Sequence, residues 1–201
     1  VKTDPDRLLV EACQSSRTSG LEGAFRDLYD AYKDRVYNVC YRITGNASDA
    51  LDASQETFGI LFRKIHDFRF ESKFSSWVYR IAVNASIDLK RRSGARHTSS
   101  LEATDEQTHE SVQANLRDER VEAPLAAASR HELEGEVQAA IGRLSPKMRA
   151  ITVLRYVENQ SYEEIAETLQ ISIGTVKSRL SRAHDALDRE LTPVLDQYYL
   201  R

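Results

Sequence analysis

The chain has 201 residues, 41 % apolar and 29 % charged, with a formal net charge of −3, the balance of an ordinary globular protein of one domain or two small ones. No run of about 18 apolar residues occurs, which argues against membrane insertion, and the opening VKTDPDRLLVEACQSS lacks the cationic start and long apolar stretch of a signal peptide, so a cytoplasmic location is expected. Cys13 and Cys40 are the only cysteines and the five histidines form no ligand spacing, so the cysteines read as small core residues and neither a metal nor another cofactor is expected.

Helical periodicity dominates, and no run alternates as a strand would. Residues 4–15 carry Leu8, Leu9 and Ala12 at helical spacing. From 21 to 43, Phe25, Leu28, Tyr29, Tyr32, Val36, Cys40 and Tyr41 recur every three or four positions, and Gly45 and Asn46 stop the pattern. Ser48 or Asp49 is expected to cap the next helix, which runs to about His66 with Phe58, Leu61, Phe62 and Ile65 on its apolar side. DFRFESKF (67–74) reads as a loop. A further helix starting at Ser75 or Ser76 carries Trp77, Val78, Ile81, Ala82, Ala85 and Leu89, and ends in Lys90, Arg91 and Arg92, cations suited to a helix C-terminus.

Composition changes at Ser93. The stretch to about 125 is polar, acidic and poor in large apolar groups, and cannot bury enough surface to offset its ordering entropy. It reads as a flexible acidic linker (94–125) between two helical domains, 1–93 and 126–201, in an all-α chain. In the second domain Val137, Ala140, Ile141 and Leu144 form one helix face. Ser145 and Pro146 then open another helix, Ser145 as cap and Pro146 at its first position, with Met148, Ile151, Leu154 and Val157 following.

SYEEIAETL (161–169) places Ser161 and Glu164 at capping-box spacing. A short connection, QIS, leads to a second helix that Ser172 can cap. Two helices joined by so tight a turn, with the small Ala166 at their crossing, form a helix-turn-helix pattern. On a wheel of about 100° per residue, Val176, Leu180, Ala183 and Leu187 make the buried stripe. Gly174, Ser178, Ser181 and Asp185 lie opposite, Lys177 and Arg182 flank them, and Arg179 sits nearer the core boundary. Small central residues let such a helix enter a major groove while long cations reach phosphates or guanine edges, and the first N–H groups near Gly174 and Thr175 suit a phosphate. A packed helical hairpin with solvated cations is the plainer alternative, although three cations on a stretch without an acid gain nothing from one another.

The string LSPKMRAITVLRYVENQSYEEIAETLQISIGTVKSRLSRAHDAL closely resembles the C-terminal, promoter-reading domain of bacterial sigma factors of the small, extracytoplasmic-function sigma-70 type. SYEEIAETL and GTVKSRLSRA carry most of that resemblance. The same half-pattern occurs in response-regulator output domains, but those should begin with alternating strands and helices, and this chain begins all-helical. The resemblance implies that Ser172, Gly174, Thr175, Lys177, Ser178, Arg179, Ser181 and Arg182 read the promoter −35 element.

Residues 20–92 resemble the same family's N-terminal domain. DALDASQETFGILFRK (49–64) looks like the segment that docks on the clamp helices of the polymerase's largest subunit, with Asp52, Gln55, Glu56 and Phe58 matching; acids beside an exposed aromatic suit a basic, apolar groove. DFRFESKFSSWVYRIAVNASIDLKRR (67–92) looks like the −10 segment. There the resemblance implies a pocket from the 68–73 loop and Asn84 for a flipped non-template base, lined by Phe68 and Ile81, with Lys90, Arg91 and Arg92 on the strand backbone. Trp77 reads rather as core. Two positions depart from the family, Gly59 where a larger residue is usual and Phe70 where the loop often has glycine; Gln170 stands where many helix-turn-helix turns have glycine, a position at which sigma factors are less strict.

The expected function is that of a sigma factor. It would bind core RNA polymerase through the clamp helices and the flap, recognise promoter DNA and promote its opening, with an anti-sigma factor as a family-level partner. The competing reading is a stand-alone helix-turn-helix regulator, which would bind a palindrome as a dimer without polymerase. No nucleophile–base–orienter set or phosphate loop is visible, so an enzyme is not expected.

Overall fold

A computed structural model describes residues 4–16, 18–99 and 124–199 of the chain. They form eight α-helices and no strand: α1 (Arg7–Ser15), α2 (Thr18–Thr44), α3 (Ala47–Lys64), α4 (Phe74–Ser99), α5 (Pro124–Arg143), α6 (Pro146–Tyr156), α7 (Tyr162–Leu169) and α8 (Ile173–Tyr199), with a 3-10 turn, Ile65–Asp67, after α3. The all-α expectation holds. α4 runs past the boundary expected at 93 to Ser99, and α5 begins at Pro124. The rest of the expected linker, 100–123, lies outside the described residues.

Local signals set most helix ends. Gly45 stops α2 at φ +85°, its N–H donating to the Tyr41 carbonyl at 2.8 Å. Glycine takes that left-handed region without penalty. The cap of α3 is not Ser48 or Asp49 but Asn46, whose side chain accepts from the Asp49 N–H at 2.7 Å; the extended backbone of Asn46 suits a cap, and the helix has already begun at Ala47. α4 starts at Phe74, ahead of Ser75 and Ser76, because its first N–H is satisfied from a distance: the Asp4 carboxylate accepts from Phe74 N at 2.7 Å. α6 opens as expected, with Ser145 accepting from the Met148 N–H and Pro146 in the first turn. α1 turns a different face inward from the one its leucines suggest. Val10 and Cys13 are buried, and Leu8 is 80 % exposed.

α1 to α4 pack around Leu28, Tyr32, Val36, Val39, Cys40 and Ile43 of α2, which meet Ala50, Ala53 and Leu61 of α3 and Phe74, Val78, Ala82 and Val83 of α4. Ile151, Val153 and Leu154 of α6 pack with Ile165 and Ala166 of α7 and with Val176 and Leu180 of α8. Each large side chain fully buried in this way contributes about 1.5–3 kcal/mol. The two sets join into one apolar cluster, with α6 against α2 and α7 against α4.

Polar contacts cross the same junction. Arg149 of α6 is 4 % exposed, and its guanidinium donates to the carbonyls of Ile43, Gly142 and Leu144. It thereby supplies positive charge and donors to the C-terminal ends of α2 and α5. Burial lowers its pKa from the usual guanidinium value. Arg35 pairs with Glu158 at 3.0 Å, and Lys73 with Glu164. Cys13 and Cys40 are free and buried, as expected, and burial pushes the Cys40 thiol up to about 11.

Candidate nucleic-acid interface

α7 and α8 build the helix-turn-helix. Ser161 and Glu164 form the full capping box: Glu164 N–H donates to Ser161 Oγ at 3.2 Å and Ser161 N–H to the Glu164 carboxylate at 2.8 Å. The chain then turns at Gln170, which holds the left-handed conformation at φ 53° that glycine would favour. Ile171 N–H closes the turn on the Ala166 carbonyl at 3.0 Å, and Ser172 caps α8 by accepting from Thr175 N–H at 3.1 Å.

On α8 the wheel is realised. Val176, Leu180 and Ala183 are buried and Leu187 is half-buried. Ser172, Gly174, Lys177, Ser178, Ser181 and Arg182 are exposed together, while Thr175 and Arg179 sit at the boundary. Ser178 Oγ donates to the Thr175 carbonyl at 3.1 Å and Arg182 Nε to the Ser178 carbonyl at 3.3 Å, so the hydroxyl and the guanidinium stem lie along the helix surface. Lys177, Arg179 and Arg182 make no ion pair among the described residues. A β-carbon on Gly174 would meet only Ser172 Oγ, at 3.8 Å, so internal packing does not require glycine there. The result is a flat, small-residue strip edged by cations, a shape that can approach a phosphate backbone closely.

The second surface lies on α4. Ile81 and Asn84 follow Trp77 by one and two helical turns and share its face; Asn84 is exposed and Ile81 half-buried. Phe68 connects the loop to that face but is not an open wall. It is 8 % exposed, with its ring stacked on Trp77 at 5.1 Å and edge-on to Phe74 at 5.3 Å. Three aromatic rings, Phe68, Phe74 and Trp77, thus pack on one another, and that mutual packing is what covers Phe68. The three cations also separate. Lys90 reaches back to donate to the Thr44 carbonyl at 2.6 Å, its pKa lowered by burial and then by neighbouring Arg149, so it closes the end of α2 rather than joining the Asn84 face. Arg91 pairs with Asp88 at 3.2 Å, and Arg92 is exposed.

The third surface is the outer side of α3. Asp52, Gln55 and Glu56 are exposed on it. Phe58 is 7 % exposed and packed edge-on against Tyr29 at 4.7 Å, so it is not the aromatic beside those acids. That position belongs to Phe62, 39 % exposed, with Leu51 on the same helix. Helical spacing places Phe58 and Phe62 on adjoining strips of α3; α2 meets both, Phe58 through Tyr29 and Phe62 through Phe25 at 5.1 Å, and leaves Phe62 the more exposed. Among the described residues no cluster could hold a metal ion, and no helix is long and apolar enough to cross a membrane.

Comparison with known proteins matches residues 28–96 to Sigma-70 region 2 and residues 134–187 to Sigma-70, region 4. Curated relatives include the ECF RNA polymerase sigma factor SigW of Bacillus subtilis, 36 % identical over 86 % of this chain and 91 % of that one. The RNA polymerase sigma-H factor of Pseudomonas aeruginosa is 36 % identical over 96 % of each chain. The ECF RNA polymerase sigma-E factor of Escherichia coli is 33 % identical over 94 % of this chain and 96 % of its own. Among solved structures, CnrH in complex with the cytosolic domain of CnrY superposes with a TM-score of 0.64 at 23 % identity, over 92 % of this chain and 96 % of that one. RpoE of Bartonella quintana, in complex with the anti-sigma factor NepR, gives 0.64 at 23 % identity over 83 % and 96 %. At that identity the structural matches speak to the fold alone.

Proposed function

The chain belongs to the sigma-70 family of RNA polymerase sigma factors, in its extracytoplasmic-function type, and we propose that its helical units divide promoter reading between them. α8 reads the −35 element: Gly174, Ser178 and Ser181 admit the helix to the major groove, Lys177 and Arg182 reach phosphates or guanine edges, and the first-turn N–H groups of Ile173 and Gly174, beside the Ser172 and Thr175 hydroxyls, take a phosphate while Ser172 occupies the Thr175 N–H. Arg179, at the boundary, serves one flank. The exposed strip at the start of α8, whose cations Lys177, Arg179 and Arg182 fall in a stretch without an acid from Ser172 to His184, is the observation that carries this reading.

The N-terminal unit reads the −10 element. Asn84, which has both a donor and an acceptor, meets the edge of a base leaving the stack, with Ile81 as its apolar neighbour and Arg91 and Arg92 along the strand. Phe68 joins the pocket when its ring leaves Trp77. Asp52, Gln55 and Glu56, with Phe62 as the exposed aromatic, dock on core polymerase, and region 4 meets the flap. An anti-sigma protein is a fitting regulator, given that one similar solved structure, the sigma factor RpoE of Bartonella quintana, is held by the anti-sigma factor NepR. No chemical step is assigned to the chain. A chain that works with core polymerase on promoter DNA would act in the cytoplasm.

Run-off transcription with core polymerase on a random-promoter library tests the reading. Initiation should depend on the chain and select two sequence blocks at fixed spacing, while the isolated protein binds duplex DNA weakly. Tight binding to a palindrome without polymerase, and no initiation from any promoter, would favour a stand-alone regulator instead.

A further inference from the structure

The segment from Ile65 to Phe74 joins α3 to α4 and contains the loop assigned to base capture. It is tied at three points to the N-terminal residues 4–14. At its start, the Gln14 carboxamide donates to the Ile65 carbonyl at 2.9 Å and to the Phe68 carbonyl at 2.7 Å. In its middle, Phe70 sits at φ 57°, a conformation costly for a residue with a β-carbon, with the Arg7 guanidinium 4.8 Å from its ring centre. At its end, Asp4 accepts from Phe74 N–H at 2.7 Å and so fixes the first turn of α4, the helix that carries Trp77, Ile81 and Asn84. α1 is itself anchored: Val10 and Cys13 are buried, and the Tyr32 hydroxyl donates to Asp6.

A base pocket works only if its walls are held to fractions of an ångström, and loops hold geometry less well than helices unless other groups support them. Here the supporting groups lie outside the matched region-2 segment, which begins at residue 28. Resting on the −10 reading above, we propose that Asp4, Arg7 and Gln14 are positioning residues for base capture: α1 keeps the 68–73 loop in register with Ile81 and Asn84, and so sets how selectively the flipped base is held. None of the three touches the base. They act through the carbonyls of Ile65 and Phe68, the ring of Phe70 and the N–H of Phe74.

The test uses holoenzyme reconstituted with Gln14→Leu, Asp4→Ala or Asp4→Asn. Opening is followed by permanganate reactivity on promoters carrying each of the four bases at the captured position. Gln14→Leu and Asp4→Ala should slow opening about tenfold, as loss of a partly buried hydrogen bond would, and should level the preference among bases. Asp4→Asn should lose less than Asp4→Ala on both measures, because the carboxylate serves two N–H groups, Asp6 at 3.1 Å and Phe74 at 2.7 Å, and the carboxamide keeps one acceptor that can serve Phe74. Polymerase affinity and closed-complex formation should not change. Unaltered base preference in Gln14→Leu and Asp4→Ala would overturn the proposal, as would an equal slowing on all four bases, which loss of bulk stability would give. If Gln14→Leu fails to fold, the Asp4→Ala and Asp4→Asn pair decides alone. Asn84→Ala, run in parallel, must lose the preference if the −10 reading holds, so failure of that reading is seen separately from failure of the α1 brace.

Discussion

Phe70 stands where the resemblance leads one to expect glycine in the loop, Gln170 where many helix-turn-helix turns have it, and both adopt φ near +55°, at 57° and 53°. For a residue with a β-carbon that conformation costs about 1 kcal/mol. The Gln170 side chain is exposed and makes no hydrogen bond among the described residues, so Gln170→Gly should stabilise the fold by about 0.5–1 kcal/mol in urea unfolding. Phe70→Gly should not, since it also removes the ring packed on Phe68 at 5.1 Å and beneath Arg7. The sequence shows both residues but not that Phe70 has compensating contacts while Gln170 has none. At Phe58 and Phe62 it likewise names a helix side without saying which ring α2 leaves the more exposed. Recognition residues were more legible: Lys177, Arg179 and Arg182 stand out because no acid falls between Ser172 and His184. Arg182→Ala should weaken −35 binding by roughly 1–3 kcal/mol if the guanidinium grips a guanine edge. Competition binding of holoenzyme to promoters altered at each −35 position would show an unchanged sequence profile if it does not.

At the scale of helices, local signals were readable and distant ones were not. The capping box of α7, the Ser145–Pro146 start of α6 and the Gly45 stop of α2 all act within a few residues, so a single sequence carries them. Asp4 capping α4 joins residues 70 positions apart, and nothing in the spacing announces it. The same holds for Arg149, an unremarkable arginine in α6 until α2 and α5 end beside it. Arg149→Leu should destabilise the chain by about 3 kcal/mol, because it leaves buried carbonyls without a donor. Gly59→Ala in α3 should act in the other direction, by about 0.5–1 kcal/mol; the new methyl would meet only the movable end of Arg63, at 3.3 Å. Thermal melts of the two variants check both signs. Glu164 gives a pH dependence. Lys73 and the Ser161 N–H hold its carboxyl below the usual carboxylate range. Its contribution is therefore full above that range and is lost as pH falls through the lowered folded value. Glu164→Gln should accordingly flatten the acid limb of the stability curve below about pH 5.

Across the whole molecule, the two units share one apolar cluster and the Lys73–Glu164, Arg35–Glu158 and Arg149 contacts. Elements centred at −35 and −10 lie about 25 base pairs apart, or about 85 Å of duplex at 3.4 Å each. A packed chain of this size is about 45 Å across, so α6 must leave α2 before both elements are read at once. Because Cys13 and Cys40 are buried, dyes can be placed on Ser48→Cys and Asp188→Cys alone. Their separation should grow by tens of ångströms, the scale of that spacing, when core polymerase and promoter bind, and an unchanged distance would mean that the packed form is the active one. The division of labour between α8 and the Asn84 face is tested most directly by resolving closed binding from opening on one promoter, using holoenzymes that carry Arg182→Ala or Asn84→Ala. Arg182→Ala should lose closed binding and leave the opening step of bound complexes intact, and Asn84→Ala should bind normally and fail to open. Equal losses in both steps for both variants would contradict it.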